Sequence, residues 1–144
     1  MVTVSRHSLL ERRQRARELA IECARVADEH RGEDIVILDM THLMPIVDFF
    51  VIVTGATRRR IHTIVEEIDR AMEEAGERRL GIEGYDSSRW VLLDYGDIVV
   101  HVFDPETRRY YDLENHWADA PRVPWQPRQR PHTGAAEPGG PEAV

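Results

Sequence analysis

The order of three segments constrains this chain more than any other feature. Residues 48–55 read Asp48-Phe49-Phe50-Val51-Ile52-Val53-Thr54-Gly55, an apolar, β-branched run closed by glycine. Such a run suits a strand covered on both faces. A helical stripe follows at once. Ile61, Ile64, Val65, Ile68 and Met72 fall at offsets of 3, 4, 7 and 11 from Ile61, which lines up one face of an α-helix. Thr57 is placed to cap its start and Gly76 to end it. A short strand-like stretch at 80–83 comes next. A strand, a helix and a second strand in that order predict a right-handed parallel crossover. The fold class is therefore α/β.

The flanking segments add to this frame. From 8 to 31, Leu9, Ala16, Leu19, Ala20, Cys23, Val26 and Ala27 recur at three- and four-residue steps before Gly32, the pattern of an amphipathic helix with a stop. Residues 34–40 are a second β-branched run. Residues 90–94 and 98–103 flank Tyr95-Gly96-Asp97 and predict an antiparallel hairpin. Asp104-Pro105-Glu106 opens a last helix, with a capping Asp, a Pro in the first turn and an early acid; it is expected to run to Trp117. The sum is one domain over 1–118, a mixed sheet of five strands flanked by helices, preceded by a short flexible start at about 1–7. Six of the eight prolines and three glycines fall between 121 and 141, so 119–144 is expected to be a disordered tail.

Charge narrows the function. All nineteen basic residues are arginine. Residues 1–33 carry seven Arg against six acids, whereas 34–118 carry nine Arg against seventeen acids, a net of −8. An acidic body repels phosphate and suits a basic protein partner better than nucleic acid. One cysteine, Cys23, leaves no internal disulfide to form, which fits a reducing compartment. The apolar runs are too short to span a membrane, and the start, with Arg6, does not read as a signal peptide. A cytoplasmic protein is expected.

The residues offer little chemistry. Thr54-Gly55 before a helix start has the place of a phosphate loop, but Ala56-Thr57-Arg58-Arg59-Arg60 supplies neither the second glycine nor the lysine. Nucleotidyl transfer needs two carboxylates close enough to share Mg²⁺, and Asp94 with Asp97, or Asp112 with Glu114, do not converge on the predicted elements. The seven histidines lack the short spacings of zinc sites. Cys23 sits on an apolar helical stripe, as a small buried hydrophobe does. The arginines Arg12, Arg13, Arg15 and Arg17 alternate with acids, as on a solvated helix face, with an RNA-touching arm as the other reading. No catalytic residue, metal site or cofactor is expected.

What remains is a surface. Alternation along 90–94 sets Trp90, Leu92 and Asp94 on one face and Val91 and Leu93 on the other. If Val91 and Leu93 face the core, an aromatic and an aliphatic are exposed beside acids, the composition of a binding hot spot. If not, Trp90 is core.

Taken in order, residues 48–55, then Ile82-Glu83-Gly84, then 90–103, then Arg109-Tyr110-Tyr111-Asp112-Leu113-Glu114-Asn115-His116-Trp117 make the chain resemble the ribosomal silencing factor (RsfS, or Iojap) family over 8–118. The resemblance implies a fold related to nucleotidyltransferases but without their catalytic acids. It implies a partner, ribosomal protein L-fourteen of the large subunit, and an action: blocking the small subunit and repressing translation when nutrients are scarce. It also implies that the docking face falls on Glu83, Gly84, Ser88, Trp90, Leu92, Asp94 and Tyr95, with His101, Arg109 and Tyr110 as further candidates, and that the protein forms a homodimer. Large-subunit assembly with RNA contact, or a divergent nucleotidyltransferase, are the alternatives.

Overall fold

A computed structural model of the chain describes residues 6–126. The elements run α1 (Arg6–Glu29), β1 (Glu33–Asp39), β2 (Phe49–Thr54), α2 (Arg58–Glu74), β3 (Gly81–Glu83), β4 (Trp90–Asp94), β5 (Ile98–Phe103), α3 (Pro105–Tyr111) and α4 (Leu113–His116). The five strands form one mixed sheet in the order β1-β2-β5-β4-β3. Only β2 and β5 pair in parallel; β1–β2, β4–β5 and β3–β4 are antiparallel.

The crossover expected from 48–83 takes a different course. β2 and β3 point the same way, but β5 and β4 lie between them. The most apolar strands, β2 and β5, are buried along their whole length and take the middle, where both faces are covered. The half-exposed, three-residue β3 goes to the rim, where pairing on one side is enough.

Side chains alternate strictly between two cores. Phe49, Val51, Val53, Val91, Leu93, Tyr95, Ile98, Val100 and Val102 pack against α1 and α2. The α2 stripe is buried at every expected position, Ile61, Ile64, Val65, Ile68 and Met72, each side chain contributing roughly 1.5–3 kcal/mol of burial. Thr57 caps this helix as expected, its Oγ1 accepting from Arg60 N at 3.1 Å. Cys23 is fully buried on α1. Burial, reinforced by Glu22, pushes its thiol up to about 12, so it packs as a hydrophobe and supplies no thiolate. Gly32 is held by sterics: a β-carbon there would lie 2.7 Å from Val53 Cγ1 and 2.9 Å from the Ala27 carbonyl oxygen.

On the opposite face, Leu38, Met40, Phe50, Ile52, Val99, Phe103 and Ala120 form the second core. Its cover differs from expectation in two places. The last helix does not run through to Trp117. Asp112 adopts a left-handed conformation (φ 48°, ψ 55°) and splits it into α3 and α4. Arg108 then ties the pieces to the sheet, donating to Thr54 Oγ1 at 2.9 Å and to Glu114 Oε2 at 2.7 Å. Burial pushes the Glu114 carboxyl up, but hydrogen bonding and charge from Arg108 outweigh it and hold the group below its usual value.

The second difference is the domain boundary. Packing does not stop at 118. Asp39 N donates to the Pro121 carbonyl at 2.8 Å and Val123 N to that of Ile37 at 2.9 Å, while Ala120 and Val123 are buried. Trp125 Nε1 donates to the Ile35 carbonyl at 3.3 Å. Residues 121–125 thus seal the outer edge of β1, satisfying backbone groups that an edge strand would leave open. The rest of the expected tail, and the expected flexible start up to residue 5, lie outside the described residues.

Candidate docking face

Alternation in β4 decides what the face opposite α1 and α2 shows. Val91 and Leu93 are fully buried toward α1 and α2, so Trp90, Leu92 and Asp94 turn to the other side, each half-buried. Trp90 falls between its two readings: it packs on the second core and stays partly exposed. Glu83 stands opposite Leu92 in the sheet, which carries the row onto the rim strand. Glu83 and Gly84 are exposed.

Trp90 is the centre of an aromatic group. Its ring lies 4.9 Å from Phe103 at 29°, and 4.7 Å from Tyr111 at 49°. Tyr111 meets Tyr110 edge-on at 5.0 Å. Tyr110 and Tyr111 are 77% and 49% exposed, large fractions for residues in contact with a core. Trp90, Tyr110 and Tyr111 line a cavity of about 390 Å³ together with Ser87, Arg89 and Glu106. Tyr111 belongs to a block, Arg109-Tyr110-Tyr111, whose share in docking the resemblance leaves open, and that block does not say which tyrosine turns toward Trp90. α3 does: it brings Tyr111 onto the indole.

Three expected contacts are buried instead. Tyr95 is 6% exposed and faces the helices, its hydroxyl donating to Asp69 Oδ1 at 2.6 Å. Burial first and that hydrogen bond second push the phenol far above its usual value. Ser88 is 4% exposed in a left-handed turn (φ 58°), and His101 is 4% exposed beneath the aromatic group. Of the three, His101 alone lies under the aromatic group; Tyr95 packs on the helix side and the Ser88 hydroxyl is engaged by His62 and the Tyr85 carbonyl. Asp94 is partly engaged as well, its Oδ1 accepting from Gly96 N at 2.8 Å. Arg109 is exposed and lines a neighbouring cleft with Arg58 and Arg89.

Ser88 Oγ lies 2.6 Å from His62 Nε2, the spacing of a nucleophile and its base. Yet Ser88 Oγ donates to the Tyr85 carbonyl at 2.9 Å, and His62 Nε2 lies 3.0 Å from the same oxygen. All three contacts are satisfied together when Nε2 carries the proton, and an imidazole so protonated cannot take one from serine. Burial first and the charge of Asp97 second raise the Asp48 carboxyl. Among the described residues, no group of three or more His, Cys, Asp or Glu side chains could hold a metal ion. Among them, too, no helix is long and apolar enough to cross a membrane.

Arg15, within the arginine run expected to be a solvated face or an RNA arm, is engaged by the fold. Its Nη2 donates to the Ala75 carbonyl at 2.9 Å and to Glu77 Oε2 at 3.1 Å, linking α1 to the end of α2.

A family model described as "Ribosomal silencing factor during starvation" matches residues 13–141. Ribosomal silencing factor RsfS of Bacillus subtilis is 43% identical over 98 residues, covering 68% of this chain and 83% of that protein. Its counterpart from Halalkalibacterium halodurans is 40% identical over 106 residues, covering 74% and 91%. A crystal structure of a Bacillus halodurans protein superposes with a TM-score of 0.65 at 36% identity, covering 77% of this chain and 98% of that one.

Proposed function

The chain belongs to the ribosomal silencing factor family, whose members regulate translation at the ribosome, and from that premise we propose that it works by occlusion. It docks through the Trp90 face on ribosomal protein L-fourteen of the large subunit and excludes the small subunit by its bulk. It acts in the cytoplasm, alone or as a homodimer, with no cofactor and no reaction.

The observation that supports this most is the aromatic group itself. Trp90 and Tyr111 lie 4.7 Å apart with their rings tilted at 49°, on a sheet face that stays partly exposed, in a body whose residues 34–118 carry a net charge of −8. Large aromatics in a pocket are the commonest anchors of protein interfaces, and a few such residues supply most of the binding energy. A negative surface steers a cationic partner toward it. Ribosomal proteins are basic, and a standard interface of roughly 1,600 Å² is enough to hold one. Nothing in this action needs the chemistry that the face lacks.

The test uses purified subunits on a sucrose gradient with and without the protein. Occlusion predicts that free large and small subunits accumulate at the expense of joined ribosomes, with the protein comigrating with the large subunit. Unchanged joining at saturating protein would end the proposal.

A further inference from the structure

A half-buried tryptophan anchors a partner well only if its ring is already held in the bound orientation, because freezing a mobile side chain on binding weakens the complex. Phe103 limits the Trp90 ring by stacking and Tyr111 by a tilted contact, but rings held this way can still slide. The directional contact is a hydrogen bond: Trp90 Nε1 lies 3.1 Å from His101 Nδ1.

The chemistry of that bond is determined. An indole nitrogen only donates, so Nδ1 must accept, and the neutral imidazole then carries its proton on Nε2. Nε2 is buried and has no hydrogen-bond partner. Burying an N–H without a partner is unfavourable, and a leucine in this apolar place would avoid it. What a leucine could not do is accept from the indole. His101 stands between Leu92 and Ile52 in sheet register and meets Phe50 edge-on at 4.7 Å. Its ring is therefore fixed from below, and Nδ1 is a stationary acceptor.

We infer that His101 is a positioning residue: without touching the partner, it holds the Trp90 indole in its docking orientation through the bond to Nδ1. With its N–H committed inward, Trp90 meets the partner by its ring alone. That geometry suits aliphatic stems and cationic heads stacked on the indole, and not a hydrogen-bond acceptor. The inference rests on the docking reading of the Trp90 face and adds to it a role for a buried residue.

The experiment combines large-subunit binding with the ¹⁵N-resolved indole N–H signals of the full-length protein, Trp90 being assigned by its loss in Trp90→Phe. His101→Leu removes the acceptor and should weaken binding about tenfold, the usual effect of orphaning one hydrogen-bond partner. His101→Asn keeps an acceptor near Nδ1 and should recover most of that loss. Trp90→Phe keeps a ring without the N–H, so adding His101→Leu to it should change affinity by less than about twofold, since the coupled partner is gone.

An equal loss from His101→Leu in both backgrounds would show general damage to the core and overturn the inference, as would wild-type binding by His101→Leu. The indole signal gives a readout without ribosomes. The Trp90 N–H should exchange slowly with solvent in the wild type and markedly faster in His101→Leu. If wild-type protein fails to bind large subunits, the docking proposal falls, while an unchanged exchange rate in His101→Leu overturns the clamp by itself.

Discussion

Gly84 backs directly onto the Trp90 carbonyl: with φ at +81°, a β-carbon built on Gly84 would overlap that oxygen. Two requirements meet at one position, a left-handed backbone and the absence of a side chain. The turn that follows β3 is therefore pressed against the first residue of β4, and the position of Trp90 is set partly by a residue with no side chain.

Gly84→Ala should accordingly be among the more damaging single-methyl changes in the chain. Backbone strain and the clash together predict a loss of about 2–4 kcal/mol in urea unfolding. A variant as stable as wild type would mean that β3 can retreat from Trp90 without consequence.

Tyr111→Ala should weaken large-subunit binding by about 2 kcal/mol or more, as should Trp90→Ala, because the two rings form one anchor. Tyr110, more exposed and away from the indole, should matter less. Equilibrium binding of the three variants gives the ranking, and the circular dichroism of each checks that it folds. Equal, small effects at all three positions would move the anchor elsewhere.

Acid should destabilise the fold through His101. Burial lowers its value from 6.5 to about 4. Between those values the unfolded chain binds a proton that the folded chain refuses, so stability rises with pH through this window. The contribution is fully present above about pH 6.5 and falls away toward pH 4, amounting to roughly 3 kcal/mol. Other groups titrate nearby: Glu114, held low, loses stability in the same direction, and Asp48, held high, gains it. The measurement is therefore the difference between wild type and His101→Leu across pH 4 to 7. Parallel curves would contradict the burial argument.

Truncation tests the boundary. Ending the chain after 118 removes buried Ala120 and Val123 and the bonds to Ile37 and Asp39, and should lower stability by about 3 kcal/mol or more. Ending it after 126 keeps all of these contacts and is the reference for the shorter chain. Thermal and urea unfolding of the two truncations against full length decide it. If the shorter one were as stable as the longer, the contacts of 119–126 would be incidental.

Local pattern was sufficient wherever neighbours in sequence are neighbours in space. The α2 stripe, the Thr57 cap and the 90–103 hairpin are all of this kind, and each stands where its residues put it. The parallel pairing of β2 with β5 was not legible. Any two buried strands have the same β-branched composition, and nothing in either names its partner. The left-handed Asp112 was hidden inside a helical pattern, and the packing of Ala120 and Val123 was hidden by the prolines around them.

The docking residues teach a narrower lesson. Family resemblance marked Tyr95 and Trp90 alike, but alternation along the strand already separates them. Position 95 shares the parity of Val91 and Leu93 and so goes to the helix side. His101 has the parity of Val99 and Phe103, which sets it under Trp90. Tyr111 could not be separated from Tyr110 until α3 had a direction.

The seam between β1 and residues 121–125 has a kinetic consequence. It joins an early strand to a stretch near the far end of the described chain, so the entropy of closing nearly the whole intervening loop must be met before those bonds can form. Until then the rim of β1 is an unprotected template on which another copy could add a strand. The interval between collapse and closure is thus when this protein is most exposed to self-association, and a faster-closing seam would shorten it.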